Sequence, residues 1–223
     1  MALDVPGIPE AQQLVSELND SVLFYKVGME LFMSGDCFAF IEWLKQRNKK
    51  VFVDMKFFDV PATVGRAIKA LSQKGVDFAT IHGNDAIMEA AVKDKNHLKV
   101  LAVTALTSLD RGDLTDLGFQ CEVKDLVLSR AKRALQIGCD GVISSGLEVS
   151  MLREALNHRL LVITPGIRPV DNRKQDDQKR VVSVEMAFQN GADYIVVGRP
   201  IRDAESPQQM AEIIQNQIAA VFS

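Results

Sequence analysis

The sequence predicts an α/β protein with the architecture of a single-domain (β/α)8 TIM barrel. Eight short apolar runs rich in β-branched residues recur along the chain, and longer stretches with helical spacing separate them. No Pro/Gly-rich linker or break in composition divides the 223 residues. A closed barrel of roughly 200–250 residues accounts for all three observations. We therefore expect one domain over residues 1–223.

The eight predicted strands are short and evenly distributed. They span residues 2–4, 22–27, 51–56, 78–82, 100–104, 141–144, 161–164 and 194–197. The first is the shortest and therefore offers the fewest backbone groups for pairing. Their apolar character fits parallel strands that are buried on both faces.

The segments between the strands have the spacing of amphipathic helices. Apolar residues recur at helical intervals in two of them: Val64, Ala67, Ile68 and Leu71, and then Val123, Leu126, Val127, Ala131, Ala134 and Leu135. Gly75, Gly138 and Gly191 each precede a strand by a few residues, as expected of glycines that end helices. No glycine-rich nucleotide-binding loop follows a strand, and we find no sequence identity between the units.

Composition excludes several classes of function. The formal net charge is −3 and no long basic run occurs, which argues against nucleic acid as a partner. No stretch reaches the roughly 20 apolar residues of a membrane span, and we expect a cytoplasmic protein without a membrane partner. Cys37, Cys121 and Cys139 have no metal-ligand spacing, so we expect reduced, largely buried thiols and no metal.

Charged residues stand at the carboxyl ends of the first strands, where barrel enzymes place their reacting groups. Alternation in the third run puts Phe52, Asp54 and Lys56 on one face, and it puts Lys26 on the corresponding face of the neighbouring strand. We expect these charges in the barrel mouth. A purely structural ion-pair network is the alternative, because buried charges need partners in either case.

A second group of residues predicts a phosphate site after the seventh and eighth strands. Arg168 follows the seventh, and Gly198 and Arg199 follow the eighth. Glycine allows close backbone approach and a guanidinium binds a phosphate through two donors.

The polar stretch between these strands, at about 169–180, is predicted to form a lid loop. His82 is interpreted as a hydrogen-bonded core residue.

The chain resembles the orotidine monophosphate decarboxylase family in seven motifs that run in the family's order. The marker is the run from Asp54 to Thr63, with Lys56, Asp59 and Pro61 at the family's spacing. The other six are Ala2-Leu3-Asp4, Lys26-Val27-Gly28, the stretch 103–108, the stretch 164–169, Asp177-Gln178-Lys179-Arg180 and Val197-Gly198-Arg199-Pro200. The match covers nearly the whole chain.

The resemblance implies loss of carbon dioxide from orotidine 5'-monophosphate (OMP) to give UMP in de novo pyrimidine synthesis, without a metal or organic cofactor. Lys56 would protonate the carbanion at pyrimidine C6, beside Asp54. Lys26 and Asp4 would hold the ribose, and Thr107 would contact the base. Arg199, the Gly198 amide, Gln178 and Arg168 would bind the phosphate.

The resemblance also implies a homodimer, because Asp59 and Thr63 of this family reach into the partner subunit's site. Two other functions remain open at this point. Magnesium-dependent sugar-phosphate decarboxylases and aldolases of the same superfamily share the Asp-x-Lys-x-x-Asp pattern. A phosphate-binding barrel without catalytic activity is the second alternative.

Overall fold

The computed structural model describes residues 1–168 and 180–223, and these form seven parallel strands surrounded by helices. The strands are β1 (Phe24–Gly28), β2 (Lys50–Phe57), β3 (Phe78–His82), β4 (Lys99–Val103), β5 (Gly141–Ile143), β6 (Leu161–Thr164) and β7 (Tyr194–Ile195). Each pairs with the next along the chain. The curled sheet confirms the predicted (β/α)8 fold class.

Helices connect the strands on the outside of the sheet. They are α1 (Ile8–Leu18), α2 (Met29–Met33), α3 (Cys37–Gln46), α4 (Pro61–Ser72), α5 (Asp85–Lys93), α6 (Arg111–Asp116), α7 (Val123–Ile137), α8 (Val149–Leu156), α9 (Val184–Gln189), α10 (Arg199–Arg202) and α11 (Pro207–Val221). A 3-10 turn, Asn19–Ser21, follows α1. None of the described helices is long and apolar enough to cross a membrane.

The first predicted strand is reduced to a single bridge, yet it occupies the position that closes the barrel. Ala2 donates its amide hydrogen to the Val197 carbonyl at 2.7 Å, beyond the end of β7. Leu3 donates to the Lys26 carbonyl of β1 at 2.9 Å. The segment therefore joins the last strand to the first. With so few hydrogen bonds on each side, it is a bridge instead of the three-residue strand expected at 2–4.

Two apolar layers hold the sheet. Alternate strand residues such as Val51, Val53 and Ile81 pack outward against the helices. The opposite residues fill the barrel interior, where Phe24, Phe52 and Phe78 cluster with Tyr194. The Phe24 and Phe78 ring centroids lie 4.9 Å apart in an edge-on arrangement. The aromatic cluster forms a floor beneath the barrel mouth.

The helical stripes predicted from spacing face this sheet. Val64, Ile68 and Leu71 of α4 are buried, as are Leu126, Val127, Ala131 and Ala134 of α7. Gly138 ends α7 in the left-handed conformation with φ 95°, which glycine adopts without steric cost. The helix predictions are confirmed.

A short repeat that the sequence analysis missed lies at the opposite end of the barrel. The pattern Gly-x-Asp precedes β3, β5 and β7, with the aspartates at Asp77, Asp140 and Asp193. Each carboxylate accepts a hydrogen bond from a backbone amide of the preceding strand. The donors are Val51 of β2, Val100 of β4 and Val162 of β6, at 2.8, 2.8 and 2.7 Å. Each also binds a cation, respectively Lys45, Lys95 and Arg153. These contacts, which we call the aspartate clamps, join the strands in pairs.

Candidate active site

A polar layer lies directly above the aromatic floor. Three strands supply it, each two residues beyond an interior aromatic: Lys26 after Phe24, Asp54 after Phe52, and Thr80 after Phe78. Because side chains two apart on a strand share a face, the same alternation that buries the rings points the polar groups into the barrel. The local sequence thus places charge where the apolar filling stops.

The charged side chains form a line of alternating sign. Lys26 Nζ lies 3.1 Å from Asp4 Oδ1 and 3.4 Å from Asp54 Oδ2. Lys56 Nζ lies 3.0 Å from Asp54 Oδ1. The side chains of Lys26 and Asp54 are only 12% and 13% exposed, whereas that of Lys56 is 41% exposed. Lys56 is therefore the more exposed of the two ammonium groups in this line.

The pairing shifts the pKa values of the two buried groups. Burial raises the pKa of the Asp54 carboxyl, but Lys26, Lys56 and the hydrogen bonds outweigh burial and hold it below its usual range. Burial likewise lowers the pKa of Lys26, and Asp54 and Asp4 more than offset that, so its pKa is raised. Both groups are charged at neutral pH.

Strand β2 is irregular at its carboxyl end, where it carries Asp54 and Lys56. Val53 pairs with Ala79 and Phe57 pairs with Ile81, so residues 54–56 of β2 face the single residue Thr80 of β3. Lys56 has φ 48°, in the left-handed region that few non-glycine residues occupy. Alternation predicted that Asp54 and Lys56 share one face of the strand. Their side chains are indeed in contact, but the strand reaches that arrangement through a bulge.

A cavity of about 430 Å³ opens above this line of charges. Asp4, Lys26, Asp54 and Lys56 line one side. The loops after β4, β6 and β7 contribute the other predicted residues: Thr107, Arg168, Gly198 and Arg199. One cavity therefore brings together the predicted charge cluster and the predicted phosphate site.

The structure places two predicted site residues outside the cavity. Asp59 is exposed and its carboxylate accepts from the Val60 amide at 2.6 Å. Thr63 bonds to Arg66 on the first turns of α4. Neither residue is among those that line the cavity. Gln178 and the lid predicted at 169–180 lie outside the described residues, apart from Arg180.

Three residues at the site were missed from the sequence. Thr80 donates to Asp54 Oδ1 at 2.8 Å and accepts from the Lys56 amide at 2.9 Å. Glu30 and Arg202 line the cavity, and Arg202 also donates to the Asp4 carbonyl. Alternation from Phe78 could have identified Thr80. A second arginine three residues after Arg199 was the signal for Arg202, because both lie on one helical turn.

His82 and the cysteines play no part in the cavity. His82 shares a hydrogen bond with Asn84 at 2.6 Å and packs against Phe58, although it is half-buried instead of lying in the core as expected. Cys37 and Cys139 are buried, as expected, and Cys121 is partly exposed. Burial raises the pKa of both Cys37 and Cys139 to about 12, which makes them poor nucleophiles.

Comparison with known proteins agrees with this site. Residues 1–214 match the model of the orotidine 5'-phosphate decarboxylase / HUMPS family. A protein of Methylococcus capsulatus named orotidine 5'-phosphate decarboxylase is 69% identical over 223 residues, which is 100% of this chain and 92% of that protein. One of the same name from Stenotrophomonas maltophilia is 50% identical, again over 100% and 92%.

A solved structure agrees in fold as well. The crystal structure of orotidine 5'-phosphate decarboxylase from Lactobacillus acidophilus superposes with a TM-score of 0.86 at 35% identity, covering 97% of this chain and 96% of that one. Family model, relatives and structure extend over essentially the same residues. The chain therefore belongs to the orotidine 5'-phosphate decarboxylase / HUMPS family.

Proposed function

We propose that this protein decarboxylates OMP to UMP and carbon dioxide, a step of pyrimidine biosynthesis. The observation that carries the proposal is the contact of 3.0 Å between the Lys56 ammonium and the Asp54 carboxylate at the wall of a nucleotide-sized cavity. The names of the relatives supply the substrate. They do not favour the sugar-phosphate alternative or a barrel without catalytic activity.

Lys56 supplies both charge and proton in this reaction. The bond from C6 to the carboxylate breaks, carbon dioxide leaves, and the electron pair stays on C6. A fixed ammonium beside that carbon stabilises the developing charge more than water does, because it needs no reorganisation. Lys56 then transfers a proton to C6 and is reprotonated from solvent. Asp54 lies next to the departing carboxylate and holds Lys56 in place.

The remaining residues bind the two ends of the nucleotide. Arg199, the Gly198 amide and Arg168 hold the phosphate, with Gln178 as a further predicted ligand. Lys26 and Asp4 bind the ribose, and Thr107 contacts the base. Binding energy from the distant phosphate is then available to orient the pyrimidine against Lys56. All the described members of this set line the one cavity.

A homodimer completes the proposed site. Asp59 does not line the cavity of its own chain, and its neighbours Phe58 and Val60 are 68% and 63% exposed. Apolar side chains exposed on both sides of a carboxylate are typical of a surface that another chain covers. We infer that Asp59 and Thr63 act in the partner subunit's site.

The test of the chemistry is the change in pyrimidine absorbance when purified protein is mixed with OMP. We expect the wild-type protein to convert OMP, and we expect EDTA to leave the rate of conversion unchanged. Lys56→Ala should lower kcat by at least about 10²-fold, since it removes the general acid. Lys69→Ala, an exposed lysine on α4 paired with Asp94, is the matched control and should leave the rate unchanged. Absence of turnover by wild type, or a strict magnesium requirement, would refute the proposal.

A further inference from the structure

Thr80 connects the two functional residues of the neighbouring strand. It is completely buried in β3. Its hydroxyl accepts a hydrogen bond from the Lys56 amide at 2.9 Å and donates one to Asp54 Oδ1 at 2.8 Å. The same carboxylate oxygen accepts from Lys56 Nζ at 3.0 Å. Backbone, hydroxyl, carboxylate and ammonium thus form a closed ring of hydrogen bonds.

The bulge in β2 explains why a side chain takes part. In a regular parallel ladder the amides of successive residues point alternately to the two neighbouring strands, so with Val51 turned towards β3 the Lys56 amide would point towards β1. Here three residues of β2 face one residue of β3, and this bulge turns the Lys56 amide towards Thr80 of β3. A buried amide without a partner is costly, and the Thr80 hydroxyl supplies the acceptor. It thereby stabilises the left-handed conformation of Lys56.

The direction of the two bonds also fixes the hydroxyl proton. Since Thr80 Oγ1 accepts from the Lys56 amide, its own hydrogen is left to donate to the carboxylate. That bond is stronger to a charged carboxylate than to a neutral carboxyl group. It therefore favours the ionised carboxylate, and an ionised Asp54 keeps the Lys56 ammonium at its observed position.

We propose that Thr80 is a positioning residue for decarboxylation, which sets where the Lys56 ammonium lies by holding both its backbone and its carboxylate partner. The proposal rests on the proposed function. Thr80 is not among the residues that line the cavity, so it acts through Lys56 and Asp54 without contact with the substrate.

Three variants test this role. Thr80→Val keeps the shape and removes the hydroxyl, and Thr80→Ser keeps the hydroxyl. Ser144→Ala removes another buried hydroxyl, one that has no hydrogen-bond partner in the described part of the chain. We expect Thr80→Val to lower kcat about 10- to 100-fold with little change in KM, because displacing a catalytic group by about 1 Å costs that much. Thr80→Ser and Ser144→Ala should remain near wild type.

A second measurement separates positioning from stability alone. The Asp54 carboxyl, followed by carbon NMR with Asp54→Asn for assignment, should titrate at higher pH in Thr80→Val than in wild type or Thr80→Ser. If Thr80 serves stability only, Thr80→Val will unfold at a lower temperature but keep wild-type kcat and an unchanged Asp54 titration well below that temperature. That result overturns the proposal.

Two further outcomes are also decisive. If Thr80→Ser loses as much kcat as Thr80→Val, the hydroxyl is not the operative group and the proposal is wrong. If the valine variant does not fold, Thr80→Ala replaces it in the same comparison. Wild-type protein is assayed first: no turnover there refutes the proposed function, whereas wild-type turnover with unaffected Thr80 variants refutes the positioning role alone.

Discussion

Lys56 combines a strained backbone with the charge on which the proposed chemistry depends. A non-glycine residue in the left-handed region costs on the order of 1–3 kcal/mol and persists only where its surroundings enforce it. The surroundings here are the Thr80 hydroxyl and the Asp54 carboxylate. The strained conformation costs the strand stability, and in return it fixes the position of the Lys56 ammonium group.

The first prediction concerns the titration of Asp54. Its pKa is lowered in the folded protein, so its ionisation stabilises the fold above the ordinary carboxyl pKa of 3.8, and this contribution is lost as pH falls through the lower folded value. Carbon NMR of the Asp54 carboxyl should therefore give a midpoint below 3.8. A midpoint above that value would mean that burial outweighs the two lysines.

At the scale of the elements, β2 carries the proposed catalytic groups at its carboxyl end and a regular, stabilising ladder at its amino end. Val51 and Val53 lie in a regular ladder and pack against the helices. The bulge begins only after Val53. The aspartate clamp at Asp77 holds the regular end through the Val51 amide and Lys45. A firmly paired amino end allows the carboxyl end to depart from regular geometry.

The clamps make a testable contribution to stability. Asp77→Ala removes the acceptor of the Val51 amide and the partner of Lys45, so we expect it to lower the free energy of unfolding by about 1–3 kcal/mol. Urea denaturation measures this. The kcat of the folded variant should stay near wild type, because the clamp lies at the opposite end of the barrel from the cavity.

Asp94→Ala is the matched control for the clamp. It also removes the carboxylate of an ion pair with a lysine. In this pair, however, Lys69 Nζ and Asp94 Oδ2 are 3.8 Å apart and both side chains are more than half exposed. Exposed pairs contribute about 0–1 kcal/mol. Equal effects of the two substitutions would show that the bond from Asp77 to the Val51 amide adds nothing.

At the scale of the whole molecule, closure of the barrel brings distant parts of the chain to one cavity. Ala2 bonds to Val197 while the neighbouring Leu3 bonds to β1. This places Asp4 beside Lys26 and close to Gly198, which lies just beyond the end of β7. The proposed ribose and phosphate sites become neighbours only through that closure.

Complementation between two inactive variants tests the proposed dimer. If Asp59 acts in the partner's site, a hybrid of Lys56→Ala and Asp59→Ala subunits contains one intact site and one doubly altered site. Refolding an equal mixture should restore about a quarter of wild-type activity, since about half of the symmetric dimers would be hybrids. Activity no greater than that of the separate variants would place Asp59 in its own chain's site or outside any site.

Much of the fold was predictable because local patterns carry it. Apolar runs, helical stripes and helix-ending glycines are properties of neighbouring residues, and strands β1–β7 follow the predicted runs closely. The first strand was predicted too long, since its length depends on how far Ala2 and Leu3 can pair on both sides at once. That is a property of the closed barrel.

By itself, the sequence determined the class of the fold, the strand face on which each residue lies and the charged residues at the strand ends. Alternation and family motifs are properties of the order of residues, so they can be read from the sequence. Tertiary structure decided the rest. The bulge at Lys56, the hydroxyl of Thr80 beneath it and the exposed position of Asp59 all depend on which strand lies alongside which. Contacts between residues that are distant in the chain have no local signature, so only the assembled barrel could reveal them.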